Sequence, residues 1–280
     1  MQSRHMTDTS APLRTAIVTG GARGLGRVMA LALRRAGYAV TITASGPSAQ
    51  LDATIADSAA LPGGDGLLLP IIADASDPEE SIRVIAETLD KFGGLHALIN
   101  NAGRGMRVVS ETFNTEPVRF WDIPGEKWDQ IFATNVNGPF YLTQAAMPHF
   151  LSQGEGRIIN VSTSAQTMIR TGYAPYGGSK AALEAMTRSW AADLAGTGIT
   201  ANLLLPGGAS DTDLLPASPN KQGADGNLLD PEIMAAPAVW LCSPESARVS
   251  GARFIARYWD PGAPVEDAIA AASSAHVVGV

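Results

Sequence analysis

Short runs of apolar and β-branched residues alternate along the chain with longer segments in which apolar positions recur every three or four residues. The first kind reads as strands buried on both faces and the second as amphipathic helices. Their alternation is the mark of a parallel sheet joined by crossover helices. Strands are predicted at 15–19, 40–44, 67–73, 97–100, 157–161, 200–205 and 253–256. Helices are predicted at 25–36, stopped by Gly37, at 78–92, with Pro78 in its tolerated first-turn position, and at 127–150 and 176–195. The expected fold is an α/β domain with a doubly wound, seven-stranded parallel sheet over residues 7–260. Two segments break the alternation. Residues 104–125 are irregular and hold Phe113, Phe120 and Trp121, read either as a pocket wall or as ordinary core, while 210–227 is rich in Pro, Gly, Asp and Asn, as a mobile lid would be. Residues 1–6 read as an expression remnant ahead of Met6, and 261–280 as an Ala-rich tail without an assigned role.

Charge narrows the partners. A net charge of −7 on 280 residues argues against nucleic acid or an anionic membrane, although a phosphate site is local and stays open. Cys242 is the single cysteine, so there is no intrachain disulfide and no cysteine metal cluster, which fits a reducing cytoplasm. No stretch approaches the roughly 20 apolar residues that cross a bilayer. His96, His149 and His276 show no ligand spacing, and no metal is expected.

Two motifs carry chemistry. After the first strand, Thr19-Gly20-Gly21-Ala22-Arg23-Gly24-Leu25-Gly26 leads into a helix, a turn that lets backbone approach a pyrophosphate while the helix N-terminal N–H groups face it. Far downstream stands Tyr176-Gly177-Gly178-Ser179-Lys180. A free tyrosine, with a pKa near 10, exchanges protons poorly at neutral pH, and a cation one helical turn away favours its phenolate. Tyr173 has Gly177 at the equivalent place and lacks such a partner.

These motifs, with Asn100-Asn101-Ala102-Gly103, Asn135 and Pro206-Gly207, occur in an order and spacing that resembles the short-chain dehydrogenase/reductase family over roughly residues 13–258. The resemblance implies a single-domain Rossmann fold. It places Gly20, Arg23, Gly24, Leu25 and Gly26 on the cofactor pyrophosphate side, Asp74 and Ala75 at the adenine, and Asn101, Ala102 and Gly103 at the ribose. Pro206, Gly207 and Ala209 would hold the nicotinamide, with Tyr176 and Lys180 also against the cofactor. Thr212 would touch its carboxamide or phosphates, one position later than the family's usual threonine. The second strand ends Thr43-Ala44-Ser45-Gly46 without the acid that grips the free ribose hydroxyls of NAD. Ser45 and Arg23 instead suit a 2′-phosphate, so NADP(H) is favoured over NAD(H); the other reading pairs Arg23 with a surface acid.

The implied catalytic set is Asn135, Thr163, Tyr176 and Lys180, with Asn135 holding a helix kink and a water that links Lys180 to solvent. Family members carry a substrate-orienting serine thirteen positions before the tyrosine, and Thr163 stands there. Its methyl narrows the pocket, and Ser164 takes over if the loop shifts by one residue. The function implied is an NADP(H)-dependent oxidoreductase interconverting a carbonyl compound and its alcohol, with a small or medium-sized apolar ketone, aldehyde or secondary alcohol favoured as substrate. Alternatives are reduction of a 3-oxoacyl thioester and a cofactor-binding sensor without catalysis. A dimer or tetramer is expected through the helices at 127–150 and 176–195, with Leu183, Met186, Trp190 and Leu194 on their apolar faces.

Overall fold

The computed structural model describes residues 13–217, 221–223 and 226–277. The proposed remnant at 1–6 lies outside them, as do parts of the 210–227 lid and the last three residues of the tail. In chain order the main elements are β1 (Thr15–Val18), α1 (Gly24–Arg35), β2 (Ala39–Ala44), α2 (Ala49–Ala59), β3 (Leu68–Ile72), α3 (Pro78–Phe92), β4 (Ala97–Asn100), α4 (Gly125–Phe132), α5 (Gly138–Gln153), β5 (Gly156–Val161), α6 (Ala165–Met168), α7 (Ala174–Asp193), β6 (Ile199–Leu205), α8 (Ala235–Cys242), β7 (Arg253–Ile255) and α9 (Val265–Ala272).

The strands form one parallel sheet of seven in the order β3-β2-β1-β4-β5-β6-β7, as expected of a doubly wound fold. The order reverses between β1 and β4, which opens a crevice at the carboxyl ends of the strands. Alternate residues feed two cores. Ala16, Val18, Ile42 and Ile99 pack on the face covered by α1 and α8. Ile17, Leu98 and Ile158 point to the opposite face, with Leu142 and Phe150 of α5. A buried polar belt then locks the central strand ends. Asn100 Nδ2 donates to Asn160 Oδ1 (2.8 Å), and Asn160 Nδ2 donates to Thr187 Oγ1 of α7 (2.8 Å).

Three expectations change. The helix read over 127–150 is two helices, α4 and α5, joined by a π turn at Ala133–Asn137, because periodicity alone does not reveal one inserted residue. Phe113 is buried, but Phe120 and Trp121 are each 67% exposed, so they belong neither to the core nor to a closed pocket wall. The tail supplies α9 and a segment that pairs with the sheet edge, where Ser274 N donates to Arg253 O (2.9 Å).

Candidate active site

A cleft of about 1090 Å³ runs across the carboxyl ends of the strands. Its floor begins at the glycine turn. Gly20 has φ +64°, which favours glycine, and a Cβ on Gly26 would come within 2.2 Å of the Gly20 carbonyl oxygen, so α1 can start this close to β1 only with glycine there. The Thr19 hydroxyl accepts from Asn101 N and Ala102 N (both 2.9 Å), and Asn101 Nδ2 donates back to Thr19 O (2.9 Å). The turns after β1 and β4 are thereby stapled together, and Gly103 lines the same cleft. Helix α1 has no side-chain cap and no acid in its first turn. Its first N–H groups and its positive dipole end are left for an anion.

Leu25, Ser45, Asp74 and Ala75 line the same end. Asp74 Oδ1 accepts from Ser76 N (2.9 Å) and Ser76 Oγ (2.7 Å), and these bonds hold its carboxyl below the usual range. Arg23 also lines the cleft, but its guanidinium pairs with Asp213 (3.1 Å), both side chains being exposed. This matches the surface-acid reading of Arg23 rather than an isolated guanidinium.

Asn135 sits in the π turn, fully buried. Its Oδ1 accepts from Arg104 N (2.8 Å), and its Nδ2 donates to Arg104 O (3.0 Å) and Ser179 Oγ (3.0 Å). Gly103 lies between Asn135 and Lys180: a Cβ there would stand 3.3 Å from Asn135 Oδ1 and 3.7 Å from Lys180 Nζ. Tyr176 and Lys180 rise from the first turns of α7, both buried. Lys180 Nζ donates to Val161 O (2.8 Å), and burial brings the ammonium down to about 8. Burial pushes the Tyr176 phenol up to about 12, while a hydrogen bond from the Thr163 hydroxyl works against that rise.

The neighbouring hydroxyls divide cleanly. Thr163, buried, faces Tyr176. Ser164 is the N-cap of α6: its Oγ accepts from Thr167 N (3.2 Å) and shares a hydrogen bond with Thr167 Oγ1 (2.9 Å). The far wall is Pro206, Gly207, Ala209 and Thr212. Ala209 O accepts from Leu229 N (2.8 Å), and a Cβ on Gly24 would lie 3.1 Å from Thr212 Cγ2, so this segment rests on the glycine turn.

Four features carried no sequence signal. Ser210 Oγ lines the cleft, buried and without a partner among the described residues. Glu184, one turn beyond Lys180, is fully buried and accepts from Ser162 Oγ (2.9 Å) and Arg253 Nε (2.9 Å). Arg253 Nη2 in turn donates to Thr163 O (3.1 Å). Finally, Arg107 and Arg170 line the cleft from the irregular segments. The histidines are backbone partners: His96 Nδ1 accepts from Thr15 N (3.0 Å) and His149 Nε2 from Leu95 N (3.1 Å). Among the described residues no three His, Cys, Asp or Glu side chains gather as a metal site would require.

A family model described as short chain dehydrogenase matches residues 14–223. A short-chain type dehydrogenase/reductase of Picea abies is 34% identical over 218 residues, covering 77% of each chain. A 3-oxoacyl-acyl-carrier-protein reductase of Vibrio cholerae is 31% identical over 246 residues, covering 85% of this chain and 93% of the relative. The crystal structure of a 3-ketoacyl-(acyl-carrier-protein) reductase from Brucella melitensis complexed with NADH superposes with a TM-score of 0.74 at 29% identity, over 85% of this chain and 94% of that one.

Proposed function

Because the chain belongs to the short-chain dehydrogenase family, we propose that Tyr176, Lys180, Thr163 and Asn135 are its reacting machinery and that it reduces a carbonyl compound with NADPH. The protein is a nicotinamide-dependent oxidoreductase acting on CH–OH and C=O groups. The observation that carries the assignment is the meeting of Tyr176, Lys180 and Thr163 in the cleft that also opens onto the uncapped start of α1.

The residues fit a dinucleotide. The α1 N-terminus and the close-packed Gly20 and Gly26 suit a pyrophosphate, and the Ser210 hydroxyl, without a partner among the described residues, gives the far wall a further donor. When bound, the nicotinamide supplies or receives the hydride. The rest falls to side chains. Thr163 Oγ1 holds the substrate oxygen beside Tyr176, and Tyr176 Oη gives that oxygen a proton during reduction. At neutral pH a Lys180 near 8 is still mostly protonated, and its charge favours the phenolate left on Tyr176. Asn135 ties the 104 backbone to Ser179 beside that lysine.

Preference for NADP(H) is supported by the lack of an acid at the end of β2 and by Arg23 and Ser45 on the cleft wall. The exposed pair with Asp213 is worth about 0.2–1 kcal/mol, less than a charge-assisted bond to a phosphate, so Arg23 can exchange partners. A homodimer or homotetramer through α4, α5 and α7 is supported by Trp128, Phe140 and Leu151, large apolar side chains left exposed on the first two, whereas Leu183 and Leu194, expected on such a face, are buried within the fold. A cytoplasmic setting is supported by the single buried thiol of Cys242; no helix among the described residues is long and apolar enough to cross a membrane.

The test is NADPH consumption, with NADH beside it, over a panel of carbonyl compounds. Tyr176→Phe is expected to lower turnover by about 10²–10⁴-fold on every substrate. Turnover retained by Tyr176→Phe would refute the assignment.

A further inference from the structure

The cleft holds more positive charge than the chain that surrounds it. Against a net charge of −7, its arginines outnumber its carboxylates. Four of its arginines are held by carboxylates or neighbouring oxygens: Arg23 pairs with Asp213 (3.1 Å), Arg107 holds Glu111 through two bonds (2.9 and 3.1 Å), Arg104 Nε donates to Thr134 Oγ1 (3.0 Å) and Arg257 Nη1 to Gly207 O (3.2 Å). Arg170 is held in another way. It forms no ion pair among the described residues, and it is fixed in place by an aromatic ring instead of a carboxylate. Its guanidinium carbon lies 4.9 Å from the centroid of Tyr173, and its Nη1 donates to Tyr173 Oη (3.1 Å). Tyr173 Oη is anchored in turn by donating to Asn114 Oδ1 (2.9 Å).

Position separates this charge from the cofactor end. The glycine turn, Ser45 and Asp74 stand at the ends of β1, β2 and β3, whereas Arg170 follows β5 on the other side of the crevice. Tyr173 makes an edge contact with Tyr176, ring centroids 6.3 Å apart, so Arg170 stands one ring beyond the proton donor. The surface between is apolar. Met106, Phe113, Tyr173 and Tyr176 form one buried cluster, with Val108 and Leu215 against it.

We propose that the substrate is a carbonyl compound bearing an anionic group, a carboxylate or a phosphate, and that Arg170 receives this group while Tyr176 meets the carbonyl oxygen. The inference rests on the carbonyl-reductase reading and names its substrate class. A guanidinium prefixed on a ring, with donors remaining and no carboxylate paired with it among the described residues, matches a planar or tetrahedral oxyanion at little ordering cost. The apolar cluster takes the carbon skeleton between the two polar ends. An anion at the far end of a pantetheine arm lies beyond the single ring that separates Arg170 from Tyr176, so the charge belongs to the acyl body of the substrate.

The experiment compares kcat/KM for a series of medium-chain oxo acids with that for their methyl esters, in the wild type and in Arg170→Met. An oxo compound carrying a phosphate monoester at the same distance forms a second arm, and a 3-oxoacyl-coenzyme A thioester a third. In the wild type the acid or the phosphate is expected to exceed its neutral counterpart by about ten- to a hundredfold, chiefly through KM. The ratio is expected to fall toward one in Arg170→Met and to recover in part in Arg170→Lys. Carboxylate over phosphate, or the reverse, then identifies the anion. The ratio in the wild type stands alone if Arg170→Met fails to fold. Esters turned over as well as acids, a preference that survives Arg170→Met, or a thioester that outruns both and is indifferent to Arg170, each overturns the proposal. Any of these leaves carbonyl reduction by Tyr176 intact, whereas absence of turnover on every arm would count against that reading instead.

Discussion

Glu184→Gln probes the support beneath the proposed reacting groups. Glu184 is fully buried, and Arg253 is only 4% exposed. Glu184 Oε1 accepts from Arg253 Nε and Ser162 Oγ (both 2.9 Å), and Oε2 accepts from Val277 N of the tail (3.3 Å). Arg253 completes its fork on Ser274 Oγ (2.8 Å) and Thr163 O (3.1 Å). Glutamine keeps the volume and removes the charge, leaving a guanidinium buried without a counterion. Breaking one side of such a pair costs about 3–5 kcal/mol, whereas replacing both partners with apolar residues of similar size is often close to neutral. Glu184→Gln is therefore expected to lower the urea midpoint by about 1–2 M, taking m near 3 kcal/mol/M. Glu184→Leu combined with Arg253→Met is expected to lose less than either single change. Tryptophan fluorescence in urea reads the midpoint, and steady-state kinetics reads the site. Because Arg253 holds the Thr163 carbonyl, kcat should fall in the single variants while cofactor affinity is kept. A midpoint moved by less than about 0.3 M, or a double variant whose loss equals the sum of the singles, would refute the argument.

Thr163→Val keeps the shape and removes the hydroxyl, so turnover should collapse with NADPH affinity near that of the wild type; Thr163→Ser should retain most activity, and full activity in Thr163→Val would exclude this hydroxyl from the reaction. Ser164→Ala should instead cost about 0.5–2 kcal/mol of stability through the lost α6 cap, with turnover little changed, and a dead Ser164→Ala would shift the substrate-orienting role by one residue. Arg23→Gln should weaken NADPH binding about ten- to a hundredfold more than NADH binding, measured by titration of cofactor fluorescence; equal losses would take Arg23 away from the 2′-phosphate. His96 accepts a bond from Thr15 N as the neutral ring, and burial keeps its pKa below 6.5. Its contribution is therefore complete above pH 6.5 and lost as the pH falls from there toward the lowered folded value. The difference in urea midpoint between the wild type and His96→Asn should accordingly shrink on acidification, and a difference that grows would reverse the sign of the argument.

The layered fold was legible from residue order alone, because a parallel sheet writes its period and its crossovers into contiguous stretches. Runs such as Ala97–Asn100 are buried on both faces and need no partner to be recognised. The glycine turn and the Tyr176–Lys180 pair were legible for the same reason, each being one local turn with its chemistry inside it. Within the site, adjacency in sequence was a poor guide. Thr163 and Ser164 are neighbours with similar hydroxyls, and only the start of α6 assigns Ser164 to a helix cap and leaves Thr163 for Tyr176. The single inserted residue of the π turn that carries Asn135 shifts no apolar face enough to be read from periodicity. Charge was least legible of all. Arg23 meets Asp213 across 190 positions and Arg253 meets Glu184 across 69, while Arg170 is left facing the cleft with no carboxylate among the described residues. Along the chain Arg23 stands out by its place in the glycine turn, whereas Asp213, Glu184, Arg253 and Arg170 read as ordinary solvated side chains. Which cations are neutralised, which are buried and which stay open to a substrate depends on distances between strand ends, and those distances exist only once the sheet has closed its order.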